Sequence, residues 1–176
     1  MYKDGPLEVL VSKKKIAAAV KRLAAVIRQD YLHKNPILIG ILKGSFIFMA
    51  DLARCLDIPL EVDFVRLSSY GRDMKSSGDI KMVHGLTSNI QGRHIIIVED
   101  VVDTGLTTSF LIDYLKKNNP ASLKLCALAE KPSRRKIDIK IYYLGFTLPD
   151  KFIVGYGPDC DEKYRNLPDI CYLKDK

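Results

Sequence analysis

Two adjacent carboxylates, Glu99 and Asp100, end a run of β-branched residues, Ile95-Ile96-Ile97-Val98. Val101 and Val102 follow, then Asp103-Thr104-Gly105, then Leu106 and the hydroxyls of Thr107 and Thr108 at the head of an amphipathic stretch. This order predicts a buried strand, a tight loop and a helix N-terminus in direct succession. Such a junction turns backbone N–H groups and the positive end of a helix dipole toward an anion. The neighbouring acids suit hydroxyl groups or a hard metal ion. Side by side, they suit a sugar phosphate held with a metal. Asp103, Thr104 and Gly105 supply side-chain acceptors, a hydroxyl and a flexible backbone. A plain helix-capping turn with buried acids would not need Glu-Asp and Asp-Thr-Gly-x-Thr together.

The elements that must position these residues follow from periodicity. Ser12 is placed to cap a helix with Ile16, Val20, Leu23 and Ile27 at helical spacing. Its polar face carries Lys13, Lys14, Lys21 and Arg22. Ile37 to Ile41 reads as a buried strand and Leu42-Lys43-Gly44-Ser45 as a short connection. Ser45 could cap the next helix, Phe46 to Leu56, with Phe46, Met49, Leu52 and Ala53 inward. Leu60 to Leu67 alternates, with Leu60, Val62 and Phe64 opposed to Glu61, Asp63 and Val65. Asp79 to Val83 is a short strand, and Ile95 to Glu99 is the clearest one. Thr107 to Lys117 is a helix with Phe110, Leu111 and Tyr114 inward. Leu123 to Ala129, Ile137 to Phe146 and Phe152 to Val154 complete the strands. Strands alternating with helices predict an α/β fold with a mainly parallel, twisted sheet. Ligands of such sheets bind at the carboxyl ends of the strands. Lys43, Glu99-Asp100 and Lys131 all follow strands and should gather there.

The chain has 176 residues, the size of one domain, and a net charge of +7, which favours anionic partners without choosing among them. Its four cysteines, Cys55, Cys126, Cys160 and Cys171, form no C-x-x-C and have no His cluster beside them, which argues against structural zinc. Cys55 and Cys126 lie in apolar runs and read as core thiols. Met1 to Leu10 carries Asp4 and Glu8 without a long apolar core, unlike a signal peptide. No apolar run approaches membrane-spanning length. A reducing cytoplasm fits this composition. The G-x-x-x-x-G-K-[ST] pattern is absent, so a P-loop is excluded. Gly155-Tyr156-Gly157 lacks the third glycine of a dinucleotide fingerprint and reads as a bend after a strand.

Val98 to Thr107 resembles the phosphoribosyl-pyrophosphate (PRPP) motif of type I phosphoribosyltransferases. Further segments resemble the bacterial hypoxanthine-guanine phosphoribosyltransferase branch of that family: Gly40 to Phe46, Ser68-Ser69-Tyr70-Gly71, Lys131-Pro132-Ser133-Arg134-Arg135 and Pro149 to Gly157. The likeness runs from about Ile37 to Leu173. It implies the type I fold as a single domain over residues 1–176, with a small hood from the N- and C-terminal segments and a mobile lid over residues 68–79 headed by Ser69 and Tyr70.

The resemblance also implies roles. Glu99 and Asp100 hold the ribose hydroxyls, directly or through magnesium. Asp103, Thr104, Gly105, Leu106 and Thr107 cradle the 5′-phosphate, and Asp103 serves as general base or hydrogen-bond partner at purine N7. Leu42-Lys43 matches a non-proline cis peptide whose backbone, with Gly44, meets the pyrophosphate, as does Arg165. Lys131 donates to O6 of the base, Phe152 stacks on it and Ile153 offers a carbonyl. Asp159 helps bind a second magnesium ion beside the purine. Arg134 or Arg135 supports Lys131. Pro158 and Cys160 depart from the family pattern of an aliphatic and an aromatic residue, which bears on the shape of the purine pocket.

The implied activity is transfer of the phosphoribosyl group of PRPP to N9 of a 6-oxopurine, giving IMP or GMP plus pyrophosphate. Magnesium is the implied cofactor, and a homodimer or homotetramer the implied assembly. No nucleic-acid or membrane partner is expected. A PRPP-sensing RNA-binding regulator on the same fold is a rival, opposed by Lys131, Phe152 and Asp159 and by the lack of an aromatic-interleaved basic stripe. A phosphoribosyltransferase for xanthine or a pyrimidine is another.

Overall fold

The computed structural model describes residues 6–69 and 80–174. In chain order the elements are β1 (Leu7–Val11), α1 (Lys13–Tyr31), β2 (Ile37–Leu42), α2 (Phe46–Leu56), β3 (Glu61–Ser69), β4 (Ile80–His84), β5 (His94–Val102), α3 (Leu106–Lys116), β6 (Ser122–Glu130), β7 (Tyr143–Thr147), β8 (Ile153–Val154) and β9 (Ile170–Leu173). The main sheet has the order β4-β3-β2-β5-β6-β7. All its pairings are parallel except β3 with β4. This is the α/β architecture expected from the alternation of elements.

β2 and β5 are continuous apolar runs because both faces of the sheet are covered. Leu38, Ile96 and Val98 pack with α1 and α2 through Ile16, Val20, Leu23, Met49 and Leu52. Ile37, Ile39, Ile95 and Ile97 face the other way and pack with Leu111 and Leu115 of α3. Ser12 caps α1, its hydroxyl accepting from Lys15 N at 3.5 Å. A second, antiparallel sheet, β1-β9-β8, is built from the two ends of the chain and forms the expected hood. Sequence periodicity pointed to neither β1 nor β9.

Several local expectations are corrected. β5 does not stop at Glu99 but runs on through Val102, pairing Val101 with Ala129 and Val102 with Glu130. Phe46 and Tyr114 are exposed; Phe48, Met49, Leu52 and Leu56 fill the inner face of α2, and Thr108, Leu111 and Leu115 that of α3. Ser45 makes no side-chain cap; its hydroxyl donates to Ile41 O at 2.7 Å. Cys126 is buried as expected, but Cys55 is exposed. Residues 137–142 precede rather than extend β7, which begins at Tyr143. On β3 the apolar Val62 is exposed, with Glu61 and Arg66, while Asp63 is buried. Burial by itself would raise the Asp63 pKa, but donation from the backbone N–H groups of Ser88, Phe64 and Thr87 outweighs it and holds the carboxyl below its ordinary range.

Two glycines let distant loops touch. A Cβ on Gly44, in the loop after β2, would lie 2.1 Å from Asp100 Oδ2. A Cβ on Gly157, just beyond β8, would lie 1.9 Å from Gly44 O, and Gly157 has φ +121°. The Tyr156 hydroxyl donates to Asp51 Oδ2 of α2 at 2.5 Å and fastens the same turn to the main body. The loop after β2 therefore meets the turn beyond β8 backbone to backbone, and meets β5 through the Asp100 carboxylate.

Asp63→Ala should lower unfolding stability near neutral pH by about 2–4 kcal/mol, since several buried donors lose their charged acceptor. Because the native carboxyl pKa is depressed, this contribution is complete above the unfolded value of about 4 and disappears as pH falls through the native value. Urea titrations should show the gap between wild type and variant closing on acidification below about pH 4; a constant gap would contradict the assignment. Gly157→Ala should force the Gly44 loop away at about 1–3 kcal/mol. An unchanged urea midpoint would show that the loops are not in backbone contact.

Candidate active site

The loop from Asp103 to Gly105 joins β5 to α3. Gly105 stands at the helix N-cap with φ 84°, and Thr104 Oγ1 accepts from Leu106 N at 3.4 Å. Glu99, Val101, Asp103, Thr104, Gly105, Thr107 and Thr108 line a cavity of about 140 Å³ at this helix end. Its lining combines carboxylates with hydroxyls at a helix N-terminus, group types that suit a sugar phosphate. Glu99 is 7% exposed. Burial, reinforced by the charge of Asp100, pushes its carboxyl well above the ordinary range. A cation or hydroxyl placed there would relieve that strain.

β2 delivers Lys43 and Gly44 to the same edge, and the Leu42-Lys43 peptide is cis, as the resemblance implied. Gly44 lies against Asp100 through the glycine contact described above. Lys43 Nζ donates to both carboxylate oxygens of Glu162 at 2.9 Å. Arg165 NH2 lies 2.8 Å from Asp159 Oδ1 and 3.1 Å from Glu162 Oε2, while its NH1 donates to Gly157 O at 3.0 Å. Asp159 also accepts from Glu162 N at 2.8 Å.

β6 runs parallel to β5 and delivers Lys131, whose N–H donates to Val102 O at 3.0 Å. The Lys131 side chain is buried, and Nζ donates to Lys151 O at 2.6 Å. Burial lowers its pKa; Asp103 opposes that shift and Arg134 adds to it. Phe152, next to Lys151, is 44% exposed, whereas Ile153 is buried in β8.

The arginines expected to support Lys131 hold carboxylates instead. Arg134 Nε donates to Asp103 Oδ1 at 2.9 Å, and its NH1 lies 3.6 Å from Asp150. Arg135 NH2 donates to Glu130 Oε2 at 2.9 Å. Sequence reasoning missed the Arg134–Asp103 pair and the position of Glu162. The partners of Arg134 and Lys43 are 31 and 119 residues away, beyond the reach of local pattern. Cys160 is buried in the hood cluster with Val154, Tyr164 and Cys171. Of the expected lid, Ser69 is the last residue of β3; Tyr70 and residues 70–79 lie outside the described residues.

The model of the phosphoribosyl transferase domain matches residues 7–161. Hypoxanthine-guanine phosphoribosyltransferase of Bacillus subtilis is 45% identical over 174 residues, covering 99% of this chain and 97% of that protein. Hypoxanthine phosphoribosyltransferase of Haemophilus influenzae is 41% identical, over 92% of each. The crystal structure of a hypoxanthine phosphoribosyltransferase from Staphylococcus aureus superposes with a TM-score of 0.91 at 41% identity, over 95% of this chain and 91% of that one. The likeness thus spans hood, main sheet and the loops between them, and these relatives favour neither the regulator nor a phosphoribosyltransferase for another base such as xanthine or a pyrimidine. The chain belongs to the phosphoribosyl transferase domain family.

Proposed function

We propose that the chain is a purine-salvage enzyme that transfers the phosphoribosyl group of PRPP to N9 of hypoxanthine, guanine or both, releasing IMP or GMP and pyrophosphate. One observation carries this reading. The parallel pairing of β5 with β6 sets an anion cradle, Asp103 to Thr108, beside a buried lysine, Lys131, within one strand spacing. A 5′-phosphate suits the first and a purine oxo group the second.

In this reading the N–H groups and hydroxyls from Thr104 to Thr107 hold the 5′-phosphate, and Glu99 and Asp100 orient the ribose hydroxyls. Lys131 keeps its bond to Lys151 O and spends another of its donors on O6. The half-exposed Phe152 ring stacks on the base, and Ile153 offers its carbonyl to the base edge. N9 attacks C1 as the bond from C1 to the pyrophosphate oxygen breaks. The proton on N7 passes to Asp103, which Arg134 holds in place through Nε. Lys43, Gly44 and Arg165 receive the charge of the departing pyrophosphate.

Magnesium fits the donors present. Glu99 and Asp100 are hard oxygen ligands, and the raised pKa of Glu99 marks a position where a bound cation would replace a proton. No group of three or more His, Cys, Asp or Glu side chains suited to a metal occurs among the described residues, so substrate oxygens and water would complete the shell. Asp159, already engaged by Arg165, would share its carboxylate between that pair and a second ion. When bound, magnesium neutralises the pyrophosphate. The working form in this proposal is a cytoplasmic homodimer or homotetramer; among the described residues, no helix is long and apolar enough to cross a membrane.

Incubating the purified protein with PRPP, magnesium and hypoxanthine or guanine should yield IMP or GMP. No nucleotide from any 6-oxopurine would overturn the proposal. Asp103→Asn should retain PRPP binding while turnover falls on the order of 10²–10⁴-fold, the range for a lost acid–base group. Near-normal turnover would remove Asp103 from that role.

A further inference from the structure

Lys43 and Arg165 reach the same point from opposite parts of the chain, and Glu162 joins them. Both oxygens of its carboxylate lie 2.9 Å from Lys43 Nζ, and Oε2 is also 3.1 Å from Arg165 NH2. Two cations held this close repel each other unless an anion stands between them. The turn that presents Glu162 is costly to form: Asp161, Glu162 and Tyr164 have φ of 52°, 61° and 75°, the left-handed region that residues other than glycine seldom adopt. Hydrogen bonds from Glu162 N to Asp159 Oδ2 and from Arg165 NH1 to Gly157 O hold it. Lys43, followed by Arg165, keeps the Glu162 carboxyl below its ordinary range, so the group is an anion at neutral pH. The neighbouring Asp161 carboxylate points elsewhere, toward Lys163 at 3.9 Å, with its side chain 89% exposed.

We propose that Glu162 is an internal stand-in for the pyrophosphate group: its carboxylate occupies the bridge between Lys43 and Arg165 and must be displaced before a diphosphate can bind there. The inference rests on the assignment of Lys43 and Arg165 to the pyrophosphate end of the site. Glu162 thus sets affinity without touching the reacting atoms. It weakens capture of the diphosphate, and by returning to its cations it favours release of pyrophosphate after transfer. The single charge of the carboxylate is exchanged for the larger charge of the diphosphate, which the two cations hold more strongly.

Calorimetric titration of the full chain with inorganic pyrophosphate, in magnesium, tests this. Glu162→Gln keeps the shape and removes the competing charge. It should tighten binding about two- to tenfold, the worth of two partly exposed ion pairs. Asp161→Asn removes an equal charge one residue away and should change affinity by less than about twofold. Unchanged or weaker binding by Glu162→Gln would overturn the proposal, because the carboxylate would then be neutral to the site or would hold its cations in place for the ligand. Equal tightening by both variants would also overturn it, reducing the effect to net charge. Lys43→Gln checks the underlying assignment. It should weaken binding about tenfold. If it binds pyrophosphate as wild type does, the Lys43 ammonium takes no part in the subsite and the stand-in falls with it.

Discussion

The site depends on one close approach of backbone. Gly157 seats against Gly44 O, and Gly44 in turn lies against the Asp100 carboxylate. No side chain fits at either glycine without pushing the loops apart. Through this stack the carboxyl ends of β2 and β5 meet the turn that follows β8, and residues far apart in sequence come to share one edge. The remaining positions follow from parallel pairing: β6 beside β5 brings Lys131 level with the loop that carries Asp103. The hood contributes Phe152, Asp159 and Arg165 only because Tyr156, bonded to Asp51 of α2, fixes the turn on the main body.

Charge is the second organising element. The edge carries Lys43, Lys131, Arg134 and Arg165 together with Glu99, Asp100, Asp103, Asp159 and Glu162, and the fold pairs most of them internally. Arg134 meets Asp103, Arg165 meets Asp159, and Lys43 meets Glu162. The two most buried, Glu99 and Lys131, are each shifted toward the neutral form by loss of water. A site arranged in this way is set up for exchange. On the proposed function, an anionic substrate would gain from the cations only what exceeds their bonds to the protein's own carboxylates.

Much of this was legible in the amino-acid order, and the exceptions have physical causes. Parallel strands buried on both faces announce themselves as apolar runs, which is why β2, β5 and β6 were found, though β5 runs past its expected end at Glu99 to Val102. Ser12 worked as a capping signal because it stands directly before an amphipathic run. Phe46 and Tyr114 misled because an aromatic residue near the end of a helical stripe can project past the sheet it would pack on. Cys55 misled because lying in an apolar run does not fix which way a helical residue faces. β1 and β9 are short strands that pair across the full length of the chain, leaving no local periodicity strong enough to read. Asp63 sits at an inward strand position because three backbone donors satisfy it, two of them in a loop more than twenty residues away. The motif at Glu99 to Thr108 marked the junction of β5 with α3 and the cavity beside it, but the pairings Lys43–Glu162 and Arg134–Asp103 arise only from folding.

The central claim is that one sheet edge holds a nucleotide between the Asp103–Thr108 cradle and Lys131. A crystal structure of the protein soaked with IMP, or with GMP, tests it most directly. The 5′-phosphate should accept from the backbone N–H groups of Thr104 to Thr107, the ribose hydroxyls should face Glu99 and Asp100, and O6 should accept from Lys131 Nζ with the base against Phe152. A nucleotide bound elsewhere, or with its phosphate away from the N-terminus of α3 and its base away from Lys131, would contradict the account.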